Sequence, residues 1–315
     1  MLTVFHQHGG TVREATVREA QRSVHPVGVP AQVRQQGPTA LRIALGAQLR
    51  RLREKRGITA EAAGYTIGTS HSKINRIEFG RIGFKEQDVA DLLTLYGVTD
   101  APRRGTFLAL AQQADAPGWW HRYSDILPDW FDMYLGLEET CSLIRSYEPQ
   151  LVPGLLRTQE SARAAIQLGY PNESADDIER RSALRMTRQE TLIESGKPNL
   201  WAVIGEAALW RFDERSAIRE QIQHLVDMAE LPNITLQVIP FYTGGHAAIG
   251  GPFAILRFSE PDLPDIVYLE QLTGALYLDT DQDVQHYLLG MDRLCVQAKS
   301  PAETTRFLNS TLKEL

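Results

Sequence analysis

Five polar side chains lie within one short stretch, His71, Ser72, Lys73, Asn75 and Arg76, interleaved with Ile74 and Ile77. Wound as a helix, that stretch puts the two isoleucines inward at i, i+3 and turns His71, Ser72, Asn75 and Arg76 outward. An arginine on such a face reaches the O6 and N7 acceptors of guanine with both arms of its guanidinium, and small polar groups beside it reach base edges. His71 and Ser72 fit base edges at the N-terminal turn, and Lys73 and Asn75 fit base or phosphate at the groove margin. Arg50, Arg51, Arg53 and Arg81 bracket the stretch. They suit phosphate contacts, which add salt-dependent affinity without sequence information. Ser70, just ahead of the reading face, completes the candidate set as an N-cap within reach of the backbone.

The elements that must position these groups can be read from the residues around them. Gly57 suits the left-handed end of a preceding basic helix. Thr59 is a candidate N-cap, and Glu61 faces the positive helix end. Ala63, Gly64 and Ile67 give the next helix a small inner face, Gly68 supplies a turn, and Glu78 with Gly80 closes a second helix over 70–79. Two short helices at an angle, the second carrying the polar face, predict a helix-turn-helix. Flanking helices are predicted over 40–56 (Leu41, Leu45, Leu49 and Leu52 inward), 85–96 (Val89, Leu92, Leu93 and Tyr96 inward) and 102–114, with a boundary at 116–118.

Leu49 to Val98 resembles the five-helix DNA-binding domain of the lambda-repressor-like, xenobiotic-response-element class. The likeness rests on Leu49-Arg50-Arg51-Leu52-Arg53 and on Ser70, Ser72, Lys73, Ile74, Arg76, Ile77, Glu78 and Gly80. Two positions depart from the pattern: Ala60 stands where that class usually has a phosphate-touching Gln, and Phe84-Lys85 stand where it has Pro or Ser. The resemblance implies reading of double-stranded DNA.

Charge is distributed in keeping with that. Residues 39–81 hold nine Lys or Arg against three acids, a net of +6, so the formal total of −6 leaves −12 for the rest. A basic module on an acidic body suits local DNA contact rather than broad adhesion. The two cysteines, Cys141 and Cys295, form no CxxC or Cys/His cluster and read as reduced core residues. No apolar run approaches the ~18 residues of a membrane span, and no signal pattern opens the chain. The expected location is therefore the cytoplasm, on the nucleoid. Residues 1–37, with the tandem Thr-Val-Arg-Glu-Ala of 11–20, show no sustained periodicity and are expected to be a disordered extension.

Catalytic readings find little. The glycine-rich run 244–251 is followed by Pro252 and a strand pattern, so it reads as a hairpin rather than a phosphate cradle. His246 within it is a conceivable base, without a nucleophile motif nearby. Glu138-Glu139 and Asp176-Asp177 are sequence neighbours that point apart, and the eight histidines lack metal spacing. No enzyme activity, cofactor or metal is expected.

Beyond residue 117 the aromatics Trp119, Trp120, Trp130, Phe131 and Tyr134 read as core. Residues 137–147 suit either a helix or a strand, and Thr158 begins a helix to Leu168. A long helix over 173–194 carries Arg180, Arg181, Arg185 and Arg188. That row could take an acidic ligand, but a solvated face paired with Glu190 and Glu194 is the commoner arrangement. Strands are predicted over 200–204, 234–239, 253–258, 266–269 and 275–278, with a helix over 214–230 between the first two and helices over 281–298 and 301–312. The fold class is thus mainly α: a five-helix domain over 38–114, then an α+β domain over 117–315 with a small, mostly antiparallel sheet. Val152 to Thr158, Arg188-Gln189, Glu206 to Leu209, Pro232 to Pro240 and Gly250 to Phe253 resemble the C-terminal domain of actinobacterial antitoxin-like regulators, although Ser161 stands where that family often has Tyr. This second resemblance implies a transcription regulator whose body senses a partner, a short protein encoded nearby. Separately, one helix-turn-helix covers only a few base pairs, so a homodimer on an inverted repeat of double-stranded DNA is expected, with half-sites about 10 base pairs apart or a multiple of that. Two alternatives remain open: an antitoxin-like protein-binding module with little DNA specificity, and a small-molecule-sensing regulator.

Overall fold

The computed structural model describes residues 38–195, 198–211, 215–245, 250–259 and 263–315. The expectation of disorder for 1–37 lies outside these residues. So do His246 and the centre of the glycine-rich run.

Five helices open the described chain: α1 (Pro38–Lys55), α2 (Ala60–Thr66), α3 (His71–Glu78), α4 (Glu86–Leu95) and α5 (Ala101–Ala114). Leu41, Leu45 and Leu49 recur along one stripe of α1 and are buried, together with Val89, Leu92, Leu93 and Tyr96 from α4. Leu52, also expected inside, is only half-buried. Another side of α1 is buried too. Ile43 belongs to the core of the following α+β region, beside Tyr134 and Leu137.

That region contains α6 (Asp129–Thr140), α7 (Gln159–Gly169), α8 (Ala175–Ser195), α9 (Arg215–Met228), α10 (Asp281–Gln297) and α11 (Pro301–Glu314) around a six-stranded sheet. The strands are β1 (Leu143–Glu148), β2 (Asn199–Gly205), β3 (Ile234–Ile239), β4 (Phe253–Arg257), β5 (Ile266–Gln271) and β6 (Gly274–Leu278), in the order β3-β2-β1-β4-β5-β6. Pairings β1–β2 and β2–β3 are parallel; β1–β4, β4–β5 and β5–β6 are antiparallel. The sheet is therefore mixed and mostly antiparallel, in an α+β arrangement as expected. Its central strand, β1, is the segment that suited either helix or strand. Leu-Ile-Arg-Ser-Tyr-Glu does not read as an apolar run because Arg145 is buried, paired with Asp292 at 2.7 Å and lying over the Trp201 ring at 5.1 Å.

Alternation along β1 sends Ile144 to one face and Tyr147 to the other. The Ile144 face packs against α6, α9 and α11, and the Tyr147 face against α10. Trp120 and Tyr134 are buried as expected; the Trp120 indole N–H donates to Asp132 at 2.5 Å. Both thiols are free. No described helix is long and apolar enough to cross a membrane.

The α8 arginines correct the solvated-face expectation. Arg181 is buried and doubly hydrogen-bonded to Glu173, and Arg188 is buried and doubly hydrogen-bonded to Glu138. Arg180 alone keeps a surface pairing, with Asp125 at 2.6 Å and more loosely with Asp177. Among the described residues none of the four pairs with Glu190 or Glu194; Arg180, Arg181 and Arg188 find Asp125, Glu173 and Glu138 instead.

Candidate nucleic-acid interface

Local rules set the geometry of α2, the turn and α3. The Thr59 hydroxyl accepts the Ala62 N–H at 3.1 Å and caps α2. Gly64 has no side chain where the two helices meet; a Cβ there would sit 2.8 Å from the Thr69 carbonyl oxygen. Gly68 takes φ +70° and reverses the chain. The Ser70 hydroxyl then accepts the Lys73 N–H at 3.2 Å and caps α3, so Ser70 serves the fold of the reader. Ile74 and Ile77 are fully buried, each contributing about 1.5–3 kcal/mol of apolar burial that fixes the rotation of α3.

With the isoleucines inside, His71, Ser72 and Arg76 are exposed and Asn75 is half-buried at the margin. Arg76 is exposed and has no hydrogen bond or ion pair to another described residue. Lys73 is placed differently from the expectation. Its ammonium is 2.6 Å from the Asp88 carboxylate of α4, which ties the side chain down rather than offering it to a base.

The flanking arginines divide. Arg53 is the clear correction: it is buried, with Nε and Nη2 donating to the two Glu78 carboxylate oxygens at 2.7 and 2.8 Å. Its Nη1 donates to the Ile58 carbonyl at 2.7 Å. Tyr96 joins them, its hydroxyl donating to Glu78 at 3.3 Å, and burial followed by the Glu78 charge pushes that phenol well up. Arg53 is thus an internal strut, held above its ordinary pKa first by the Glu78 hydrogen bond. Arg50 and Arg51 are exposed; Arg50 pairs with Glu54 at 2.9 Å, and the Arg51 Nε donates to the Ala47 carbonyl at 3.4 Å. Arg50 and Arg81 both stack on the Phe79 ring, at 4.9 and 5.2 Å from its centre.

Two groups at this surface come from the distant end of the chain and left no local signal. Arg81 Nη2 donates to the Tyr277 carbonyl of β6 at 3.0 Å. Half-buried Asp279, two residues on, lies in the fields of both Arg81 and Arg50; burial raises its pKa and the two arginines draw it back. An acid of the body therefore stands beside two of the proposed phosphate contacts. Almost two hundred residues separate Arg81 from Tyr277, so only the tertiary fold joins them.

Two known families match the chain. Residues 44–105 match a family described as a helix-turn-helix domain, and residues 131–310 match one described as a domain of unknown function, DUF5753. No curated protein and no solved structure matches the chain. The helix-turn-helix match supports DNA binding and transcription regulation. The second match spans more than half of the sequence and carries no stated activity. The chain belongs to the DUF5753 family, with a helix-turn-helix domain ahead of the domain that defines it.

Proposed function

We propose that this protein is a sequence-specific transcription regulator that reads the DNA major groove with α3. The observation that carries the reading is the two-sided character of that helix: Ile74 and Ile77 are sealed inside, and His71, Ser72 and unpartnered Arg76 are outside. Arg76 contacts guanine, His71, Ser72 and Asn75 contact neighbouring base edges, and Arg50, Arg51 and Arg81 grip phosphates on either side. The proposed regulator works in the cytoplasm, by binding alone, without catalysis, cofactor or metal. One α3 covers few base pairs, so the protein acts as a homodimer on an inverted repeat with half-sites about 10 base pairs apart or a multiple of that. Exposed Leu289 and Val296, two turns apart on α10, support a second copy at that face. The body also binds a regulatory partner, a short protein, in keeping with its resemblance to antitoxin-like regulators.

The test is a salt-titrated binding assay on promoter fragments with Arg76→Ala and Arg51→Ala beside the wild type. Arg76→Ala is expected to lose about 1–3 kcal/mol of preference for the specific site. Arg51→Ala should weaken all DNA alike and lower the salt slope by about one. A wild type that binds every fragment equally would refute sequence-specific reading.

A further inference from the structure

Two arginines of the body, Arg157 and Arg185, form no ion pair with a described residue, although the charge of Glu270 acts on both and that of Glu148 on Arg157. Arg157 follows the 3-10 turn at Gly154–Leu156, and its Nε donates to the Val152 carbonyl at 2.6 Å. Arg185 stands on α8, where its Nη1 donates at 3.4 Å to the Arg181 carbonyl of the same helix. Neither forms an ion pair with a described residue, although Arg181 and Arg188 on the same helix have the carboxylates of Glu173 and Glu138. Gln189 holds the two together: its amide donates to the Leu155 and Arg157 carbonyls at 2.9 and 3.0 Å, pinning the Arg157 loop beside that turn of α8. Both residues are half-buried as a whole, and burial is the first cause that draws each guanidinium down. Arg185 is drawn down to about 10, first by burial and then by the like charges of Arg157 and Arg188.

The end of the sheet faces them. Tyr147 pairs with Phe253, and Ala254 with Tyr268, so the β1 end at Glu148 and the β5 end at Glu270 emerge at one edge. Alternation from Ile144 and from Tyr268 puts both carboxylates on the α6 side of the sheet. Glu148 makes no ion pair with a described residue, and burial pushes its carboxyl up to about 7. The neighbouring row across the sheet is small, Ala202, Ser146 and Ala254. The Ser146 hydroxyl in that row is buried and has no hydrogen-bond partner.

Two desolvated guanidiniums that repel each other are costly, and the charges of Glu148 and Glu270 offset that only in part, since both guanidiniums stay below their ordinary pKa. The carboxylates opposite disfavour a dianion and favour a ligand with an N–H group beside its acid. We propose that Arg157 and Arg185 hold the carboxylate of a small ligand whose amino or amide N–H faces Glu148, with Ser146 at the floor. A free amino acid and the C-terminal residue of a short peptide share this chemistry. The site stands apart from the DNA reading, and its test uses no DNA.

The full-length protein is melted with four probes: the twenty free amino acids pooled, tripeptides with free C-termini, the same tripeptides amidated, and inorganic phosphate. One of the first two pools is expected to raise the wild-type Tm by about 2 °C or more at saturating concentration, and which of them does so identifies the source. Amidated peptides and phosphate should leave Tm unchanged. Arg185→Gln should fold with an equal or higher Tm, having lost an unpaired buried charge, and its affinity by calorimetry should drop at least about tenfold. Glu148→Gln, which leaves both guanidiniums in place, should weaken the same ligand. The proposal is overturned if neither carboxylate pool moves the wild type, or if phosphate or amidated peptides act equally well. It is also overturned if Arg185→Gln melts lower unliganded, which would make that guanidinium structural, or if both variants bind as the wild type does.

Discussion

Replacing Arg53 separates its role as a strut from the phosphate contact that the sequence suggested. The Arg53 side chain is 11% exposed and that of Glu78 1%, and two hydrogen bonds below 3 Å join them. Arg53→Met leaves the Glu78 carboxylate in the core with only the Tyr96 hydroxyl at 3.3 Å, and orphans the Ile58 carbonyl. Stranding one member of a buried pair costs about 3–5 kcal/mol. Adding Glu78→Leu removes the stranded charge, so the double variant should regain most of the loss. A remainder of roughly 1–2 kcal/mol persists for the unmatched Tyr96 hydroxyl and Ile58 carbonyl. Urea unfolding followed by circular dichroism measures both numbers, and the double variant should cost less than the sum of the two single variants, the sign of a favourable coupling. The decisive assay is DNA affinity against salt. A strut predicts that the double variant keeps the wild-type slope, whereas a lost phosphate contact lowers it by about 0.9. An Arg53→Met cost under about 1 kcal/mol, or a reduced slope in the double variant, would refute the strut.

Three further outcomes follow from the same geometry. Asp279→Asn removes the acid beside Arg50 and Arg81, so it should tighten specific and nonspecific DNA by a similar factor, about 2- to 10-fold, read by fluorescence anisotropy at low salt; no change would mean that Asp279 does not compete with phosphate. For Glu148, folding raises the carboxyl from 4.5 to about 7, so the stability it contributes is complete below 4.5 and is lost as pH rises through about 7. The full gap corresponds to roughly 3 kcal/mol, trimmed by water at this half-buried group to on the order of 1–2 kcal/mol; Glu148→Gln should therefore gain on the wild type between about pH 5 and pH 8 in urea titrations, and a constant difference would contradict the burial argument. Gly64→Ala drives a Cβ to 2.8 Å from the Thr69 oxygen and close to the Ser70 and His71 backbone, with an expected cost of about 1–3 kcal/mol and loss of operator preference before loss of the fold; an operator-specific Gly64→Ala variant would show that the angle between α2 and α3 is not held there.

The DNA module was legible because its rules are local. Thr59 and Ser70 cap the helices that follow them, Gly68 takes the reversed turn, and Ile74 and Ile77 alternate with the polar face over a few residues. Arg53 defeated the same reading because an arginine beside a basic pair looks like a phosphate contact, and only the tertiary approach of Glu78, twenty-five residues on, makes it a strut. In the body, β2 to β6 were visible as short apolar runs, while β1 was ambiguous because its Arg145 is buried against Asp292, far along the chain. The α8 arginines failed for a related reason. Helical spacing pairs surface arginines with acids one turn away, but Arg181 and Arg188 face inward and find Glu173 and Glu138 instead.

A line of packed contacts joins the proposed carboxylate site to Arg81. Tyr268, which donates to Glu270 at 3.0 Å, lies against the Tyr277 ring at 5.3 Å. The Tyr277 hydroxyl donates to the Trp130 carbonyl of α6, and its own carbonyl holds Arg81. On the other side of α6, Gly136 lies against Thr39 of α1, and Arg42 of α1 is 3.9 Å from Asp132. The chain of contacts from the proposed carboxylate site to Arg81 is therefore short and packed, which supplies a route but not yet a coupling. Coupling requires the β6 corner to hold two arrangements that differ in how Tyr277 and Asp279 engage Arg81 and Arg50. A carboxylate ligand then alters operator affinity by the ratio of its affinities for the two, and one that binds both equally leaves DNA binding untouched however tightly it binds.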